Sequence, residues 1–200
     1  MTKTIGIVLY PDFEELDAIG PYEVFGGFCM SSNGEWQVVT ISESPGVVRG
    51  FHDLEVTAAH GFDDAPQLDV ILLPGGIGSR AEMKNPRMLD FVRRSAGTCR
   101  YVTSVCTGAL ILHQAGFLSG RRATTHWSAL DLLRGLSDVE VAEGERYVHD
   151  GNVITSAGVS AGIDMALYVV SLLKDAQTAK TVQKYIEYYP EPPQFEEAPA

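Results

Sequence analysis

One segment, from Arg100 to Thr107, constrains the possible folds of this chain more than any other. An apolar run rich in β-branched residues ends abruptly at Cys106, and residues typical of a helix follow from Thr107. A strand that turns sharply into a helix leaves the turn residue at the carboxyl edge of the sheet. The segment therefore predicts a strand–turn–helix unit in which the Cys106 sulfur faces the amides of the helix.

Similar apolar runs alternate with helical patterns along the rest of the chain. The runs are continuous, without the polar alternation of a half-exposed sheet, which favours a parallel sheet covered on both faces. The predicted strands span residues 4–10, 36–42, 47–48, 54–58, 69–73, 100–105, 139–142, 146–148 and 153–156. The predicted helices span residues 14–25, 86–96, 107–115, 127–133, 161–173 and 176–188. This order predicts an α/β fold, a flavodoxin-like doubly wound sandwich with a mostly parallel central sheet and helices on both faces.

The composition limits the domain organisation and the partners. Two hundred residues, 45% hydrophobic and 20% charged, fit one α/β domain over residues 1–189 that buries roughly 70% of its unfolded surface. Residues 190–200, rich in Pro and Glu, are predicted to form a C-terminal tail without a core. The formal net charge of −11 disfavours a nucleic-acid partner, because phosphate backbones are repelled. No apolar stretch approaches the roughly 20 residues that cross a bilayer, so no membrane partner is expected.

The cysteines and histidines bear on compartment and metal binding. The three cysteines, Cys29, Cys99 and Cys106, are odd in number and lack zinc-site spacing, and no signal-peptide pattern opens the chain. These features predict a cytoplasmic protein. The histidines show no paired ligand spacing, so no metal site is expected.

A glycine pair follows the predicted strand at 69–73 and should meet Cys106 at the same edge of the sheet. Gly75 and Gly76 let backbone amides approach a ligand more closely than any side chain would allow. Two interpretations remain open, an oxyanion hole and a tight turn without a catalytic role.

An acidic residue near the start of the first predicted helix completes the set at this edge. Asp17 lies next to core positions, and an apolar pocket there would raise the pKa of its carboxyl, so that it carries a proton at neutral pH. Its neighbours Glu14 and Glu15 are expected to form a solvated first turn. The helix amides beside Cys106 are expected to favour its thiolate over its thiol.

Five segments resemble the DJ-1/PfpI superfamily and, within it, the isocyanide hydratases. The matching segments lie at Leu16 to Pro21, Asp69 to Gly76, Arg100 to Gly108, Arg122 to Trp127 and Ala161 to Asp164. The superfamily's usual acid is a glutamate, whereas the hydratases resemble this chain in carrying an aspartate, here Asp17. Protease- and deglycase-like members commonly have a histidine directly after the cysteine, where this chain has Thr107. The resemblance therefore disfavours peptidase chemistry.

The resemblance implies a cysteine-dependent isonitrile hydratase, a hydro-lyase that converts isocyanides and water to N-substituted formamides without a cofactor. Cys106 is expected to attack the isocyanide carbon while Asp17 supplies a proton, which gives a covalent thioimidate. Asp17, now a carboxylate, then activates the water that hydrates this intermediate. The amides of Thr107 and Gly76 are expected to hold the adduct or position the water. The family also implies a homodimer.

Supporting roles and alternative functions complete these expectations. His126 is more often structural than chemical in such a context and stays outside the catalytic set. Gly158 is expected to act as a hinge that lets the following helix shift and admit water to the intermediate.

Three alternative functions remain: a redox sensor in which Cys106 oxidises beside Asp17, a ligand-sensing domain like those fused to AraC-type regulators, and a related glyoxalase-like hydratase.

Overall fold

A computed structural model describes residues 2–136 and 138–190 of the chain. The strands, in chain order, are β1 (Lys3–Val8), β2 (Trp36–Ser42), β3 (Gly46–Arg49), β4 (Glu55–Ala58), β5 (His60–Gly61), β6 (Val70–Leu73), β7 (Tyr101–Val105), β8 (Arg122–Ala123), β9 (Glu140–Val141), β10 (Tyr147–Asp150) and β11 (Val153–Ser156). The helices are α1 (Glu15–Ser31), α2 (Ser79–Glu82), α3 (Pro86–Ala96), α4 (Gly108–Gln114), α5 (Leu130–Arg134), α6 (Ala161–Leu173) and α7 (Ala176–Tyr185), with a 3₁₀ turn at Trp127–Ala129.

Seven strands form one sheet in the order β10-β11-β7-β6-β1-β2-β5. All neighbouring pairs are parallel except β10 with β11, which pair antiparallel around a tight turn. Every residue of β6 and β11 is buried, as expected for strands covered on both faces. The predicted mostly parallel α/β sheet is confirmed.

The helices form two groups around this sheet. Helices α1, α6 and α7 pack against one another, and α6 also contacts β7 and β11. Helices α2, α3 and α4 form the second group, with α3 and α4 against β6. Because parallel strands all end at the same edge, the loops after β1, β6, β7 and β11 meet there. That edge holds Asp17, the glycine pair and Cys106.

Several predicted boundaries are wrong, for physical reasons that lie outside the local pattern. Helix α1 continues to Ser31 instead of ending at residue 25, although Gly26 and Gly27 lie within it. Gly27 lets α7 approach α1 closely, because a Cβ there would lie 3.2 Å from Cδ1 of Tyr185. Packing against α7 therefore compensates for the low helix propensity of glycine.

The shortest elements also differ from the predictions. The predicted strand at 139–142 is reduced to β9, which pairs with the unpredicted β8 in a separate two-stranded sheet. The predicted helix at 127–133 is a 3₁₀ turn followed by α5. Elements of two to four residues, such as β5, β8 and α2, are too short to show a period. The hairpin predicted at 47–48 and 54–58 is confirmed as β3 and β4.

Two further points concern the part of the chain that the structure describes. Residues 191–200, which make up nearly all of the predicted tail, lie outside it. Among the described helices, none combines the length and the apolar character needed to cross a membrane.

Candidate active site

Cys106 lies in the turn between β7 and α4 and has a left-handed backbone, with φ of +55°. This conformation is unfavourable for a residue with a side chain, so surrounding contacts must hold it. The Cys106 amide donates to the carbonyl oxygens of Ser156 and Ala157, at 3.1 and 3.0 Å. The Thr125 hydroxyl donates to the Cys106 carbonyl at 2.7 Å. These bonds anchor the turn, and the cysteine remains only 8% exposed.

The glycine pair passes directly beside this turn. A Cβ on Gly75 would lie 2.5 Å from the Thr107 nitrogen and 2.8 Å from Cβ of Cys106. The absence of a side chain is therefore required for the close approach of the two loops. The buried Tyr10 hydroxyl holds the loop in place by donating to the carbonyl oxygens of Pro74 and Gly75, the latter at 3.0 Å.

Asp17 is fully buried, with 0% of its surface exposed, in the first turn of α1. The Gly75 amide donates to Oδ2 at 2.8 Å, and the Val159 amide donates to Oδ1 at 3.0 Å. Val159 is itself left-handed, with φ of +52°, which is rare for a β-branched residue. The carboxyl is thus held by backbone amides from two separate loops.

Burial raises the pKa of Asp17 to about 7. Hydrogen bonds from the Gly75 and Val159 amides and from the Cys106 thiol have the opposite effect and lower this pKa. The nearby charge of Glu14 adds to the increase. At neutral pH, Asp17 is therefore divided between its protonated and ionised forms. Such a group can both accept and donate a proton during turnover.

Burial and nearby hydrogen-bond donors act in opposite directions on the pKa of Cys106. Burial, followed by the charge of Asp17, raises the pKa of Cys106 to about 12. The Thr107 amide and hydroxyl and the Gly76 amide lower this pKa, as expected for donors at a helix start, but less strongly. Burial and the adjacent acid thus oppose the thiolate that the helix amides favour, and the expected preference for the thiolate stays a prediction. Near pH 7 the Cys106–Asp17 pair holds one shared proton once Asp17 has ionised.

A polar network lies behind the nucleophile and includes residues that the sequence analysis missed. The Thr107 hydroxyl oxygen lies 4.0 Å from the Cys106 sulfur and accepts from the Gly76 amide at 3.1 Å. The Ser79 hydroxyl lies 2.9 Å from the same oxygen, and Nη1 of Arg80 donates to the Gly76 carbonyl at 2.9 Å. The helix that carries Ser79 and Arg80 has only four residues, so no periodicity pointed to it.

His126 and Gly158 lie against each other next to this site. A Cβ on Gly158 would collide with Cδ2 of the His126 ring. The Ser128 amide donates to Nδ1 of His126 at 3.3 Å, so Nδ1 acts as an acceptor at the start of the 3₁₀ turn. The geometry gives His126 a structural part, covering the turn from which the Val159 amide reaches Asp17.

The remaining thiols lie in less active surroundings. Cys29 is near the end of α1, and Cys99 precedes β7 at the end opposite Cys106. Burial raises the pKa of Cys29 to about 11 and that of Cys99 to about 12. Neither bonds to a site residue within the described chain, so of the three thiols Cys106 is the one that lies beside Asp17 and the glycine pair.

One cluster in the described chain has metal-ligand chemistry. Glu14, Glu15 and His52 bring ligand atoms within 4.8 Å of one another. Glu15 is not solvated as expected, because its side chain is only 13% exposed and lies 2.8 Å from Nδ1 of His52. Glu15 also accepts from the His52 amide at 2.5 Å. This pairing joins α1 to the β3–β4 hairpin and accounts for the cluster without an ion.

The family description for DJ-1/PfpI matches residues 3–172. The chain belongs to the DJ-1/PfpI family. Within this family it is 42% identical over 193 residues to the isonitrile hydratase of Pseudomonas putida, covering 96% of this chain and 82% of that protein. It is also 26% identical to the HTH-type transcriptional regulator CdhR of Pseudomonas aeruginosa, covering 92% of this chain but 54% of the regulator.

Solved structures of family members share the same fold. A crystal structure of a ThiJ/PfpI family protein from Pseudomonas syringae superposes with a TM-score of 0.88 at 34% identity, covering 97% of this chain and 78% of that one. Drosophila melanogaster DJ-1beta superposes with a TM-score of 0.82 at 23% identity, covering 94% of this chain and all of that one. The flavodoxin-like sandwich predicted from the sequence is therefore confirmed.

Proposed function

We propose that this protein hydrates isocyanides to N-substituted formamides, with Cys106 as nucleophile and Asp17 as proton carrier. The observation that carries the proposal is the buried Asp17 carboxyl beside Cys106, held by two backbone amides with its pKa raised to about 7. The 42% identity to an isonitrile hydratase supports the substrate class. Thr107 after the cysteine, where a protease-like member would have a histidine, argues against peptidase chemistry.

The first half-reaction forms the thioimidate. As the Cys106 sulfur attacks the terminal carbon of the isocyanide, the Asp17 carboxylate accepts the thiol proton. The attack forms an S–C bond and leaves an electron pair on that carbon, which Asp17 protonates. The product is R–N=CH–S–Cys106 with Asp17 again ionised. Because the proton only moves within the buried pair, no free thiolate has to accumulate.

The second half-reaction adds water. The Asp17 carboxylate takes one proton from a water molecule as the water oxygen bonds to the thioimidate carbon, and it passes that proton to the imine nitrogen. The resulting R–NH–CH(OH)–S–Cys106 collapses as the C–S bond breaks, which releases the formamide and returns the proton to the Cys106–Asp17 pair. The amides of Thr107 and Gly76, which favour negative charge on the sulfur, ease its departure.

A direct assay tests this proposal. Purified protein is incubated with a panel of alkyl and aryl isocyanides, and formamide is quantified by chromatography and mass spectrometry. We expect turnover by the unmodified chain and none by Cys106→Ala. Oxidation of Cys106 by peroxide, without formamide from any isocyanide, would instead support the redox-sensor alternative.

Three finer expectations form part of the proposal. The chemistry requires no cofactor, because the thiol, the carboxyl and water balance both half-reactions. A reducing cytoplasm suits a mechanism that needs a free Cys106 thiol. A homodimer is supported by exposed apolar side chains around the site, namely Leu16 in the first turn of α1 and Phe51, Leu54 and Ile77 on loops. Sedimentation analysis measures this state.

A further inference from the structure

The carbonyl oxygen of Gly76 has more donors around it than it can accept. Nη1 of Arg80 lies 2.9 Å away, the Ser79 hydroxyl 2.8 Å, the Ser79 amide 3.2 Å and the Thr107 hydroxyl 3.1 Å. A carbonyl oxygen has two lone pairs, so these four donors cannot all be satisfied there. When Nη1 of Arg80 and the Ser79 amide take both lone pairs, the two hydroxyl protons need other acceptors.

The Thr107 hydroxyl oxygen is similarly crowded. The Gly76 amide reaches it at 3.1 Å, the Ser79 hydroxyl at 2.9 Å and Nη1 of Arg80 at 3.3 Å. When Arg80 and the Ser79 amide occupy the Gly76 carbonyl, the Ser79 hydroxyl donates to Thr107. The neutral Cys106 thiol donates to the Thr107 oxygen at 4.0 Å, and once the sulfur loses its proton it is the acceptor left in this network for the Thr107 proton. If Arg80 were absent, the Thr107 proton would instead fill the vacant position on the Gly76 carbonyl.

We propose that Arg80 is a positioning residue that directs the Thr107 hydroxyl toward the Cys106 sulfur by occupying the Gly76 carbonyl. Arg80 acts through Thr107 and does not touch the sulfur. Its side chain is half-buried and forms no ion pair within the described residues, so hydrogen bonding to this network is its main interaction. A donor on the sulfur stabilises the developing thiolate and the leaving sulfur alike.

The consequence for reactivity does not depend on the substrate. The Thr107 hydroxyl lowers the pKa of Cys106, so its reorientation should raise that pKa and slow every reaction of the thiolate. The kinetic part of the inference rests on the proposed isocyanide hydration, whereas the thiol-reactivity part does not. Alkylation of Cys106 by iodoacetamide therefore separates a failure of this inference from a failure of the proposed function.

The test compares alkylation rates of Cys106 between pH 6 and 9, read by mass spectrometry of the Cys106 peptide. Arg80→Met is expected to alkylate roughly tenfold more slowly at each pH, equivalent to a rise of about one pKa unit. Arg80→Lys retains a donor for the Gly76 carbonyl and is expected to recover most of the rate. Arg94→Met is the matched control. Because Arg94 is an exposed arginine on α3, Cys106 in this variant should be alkylated at the same rate as in the unmodified chain.

A double-variant cycle decides whether Arg80 acts through Thr107. Thr107→Val should slow alkylation by itself, and adding Arg80→Met to it should cause no further loss. Arg80→Leu, which also lacks a donor, replaces Arg80→Met if the latter has a lower thermal midpoint than Arg94→Met. Unchanged alkylation in the folded Arg80 variant would overturn the inference. A double variant that shows the product of the two single losses would also overturn it, because Arg80 would then act independently of Thr107.

Discussion

Two neighbouring turns at the carboxyl edge of the sheet share a left-handed backbone conformation but contribute different groups to the site, a side chain in one case and a backbone amide in the other. The turn after β7 holds Cys106 at φ +55°, and the turn after β11 holds Val159 at φ +52°. Each is followed by a helix, α4 or α6. Cys106 supplies a side chain to the site, whereas Val159 supplies its backbone amide to Asp17 at 3.0 Å. The Cys106 amide also bonds to the Ser156 and Ala157 carbonyls, so the turns support each other.

The difference shows that a strained turn can present either a reactive atom or a fixed dipole. A side-chain substitution removes the first function completely. The second survives most side-chain substitutions, since every residue except proline has an amide, and changes only when the backbone moves. The five predictions below separate these two cases, from the largest expected effect to the smallest.

Removal of the sulfur from the first turn should have the largest effect. Cys106→Ala and Cys106→Ser are expected to reduce formamide production at least about 10⁴-fold, because the described residues place no other thiol beside Asp17 and a serine hydroxyl is a much weaker nucleophile. Cys29→Ala is the control and should retain turnover, since Cys29 lies near the far end of α1. Steady-state rates and circular dichroism measure the two properties. Substantial turnover by Cys106→Ala would contradict the mechanism.

Asp17→Asn tests the group that both turns serve. Turnover should fall at least roughly 100-fold, because the amide cannot carry the proton. Both carboxyl oxygens accept from backbone amides, so the Asn NH₂ must face a donor and the free energy of unfolding should fall by about 1–3 kcal/mol. Cys106 should remain open to alkylation. Turnover at the unmodified rate would exclude the proton-carrier role.

The pH profile of the unmodified chain tests the shared proton. Below the Asp17 pKa of about 7, both members of the pair are protonated and the carboxylate that activates the thiol is absent. The value of kcat/KM should therefore rise roughly tenfold per pH unit up to about pH 7 and then level off. No second ionisation is expected up to pH 9, because the Cys106 pKa lies at about 12. A fall with rising pH through 7 would instead require Asp17 to react as the neutral acid with a resting thiolate.

Gly158→Thr perturbs the second turn through its neighbour. The new Cβ would collide with the His126 ring, so either the ring or the turn must move. We expect the hydrolytic half-reaction to slow roughly tenfold, about 1.4 kcal/mol in barrier, with an unchanged first-turnover burst. His126→Ala combined with Gly158→Thr removes the collision and should restore much of the rate. Equal slowing of both phases would mean that the turn is scaffold and not a hinge.

Val159→Gly should have the smallest effect and the opposite sign for stability. Release of left-handed strain, about 1–3 kcal/mol, exceeds the entropy cost of glycine, about 0.5–1 kcal/mol. The free energy of unfolding should therefore rise by about 1 kcal/mol in chemical denaturation. Turnover should fall only a few-fold, because the amide remains but is held less firmly. A large loss of stability would show that the Val159 side chain, and not its backbone, supports the turn.

Much of the sheet was predictable because burial on both faces produces long continuous apolar runs. The strands Trp36–Ser42 and Val153–Ser156 and the helices Pro86–Ala96 and Ala161–Leu173 have the predicted bounds. The extension of α1 past Gly27 was not predictable, since it depends on α7, which lies 150 residues further along the chain. Local propensity gives way where a distant element packs closely.

The sequence by itself determined the fold class and pointed to Cys106, Asp17 and the glycine pair, because residue type and position at strand ends are local properties. Only the tertiary structure placed the two groups in one buried environment, where burial and the charge of Asp17 raise the pKa of Cys106 against the helix amides. It alone brought the Val159 amide to Asp17, 142 positions apart, and Arg80 to the Gly76 carbonyl. Desolvation and backbone hydrogen bonding depend on what surrounds a group in space, and no local pattern encodes those surroundings.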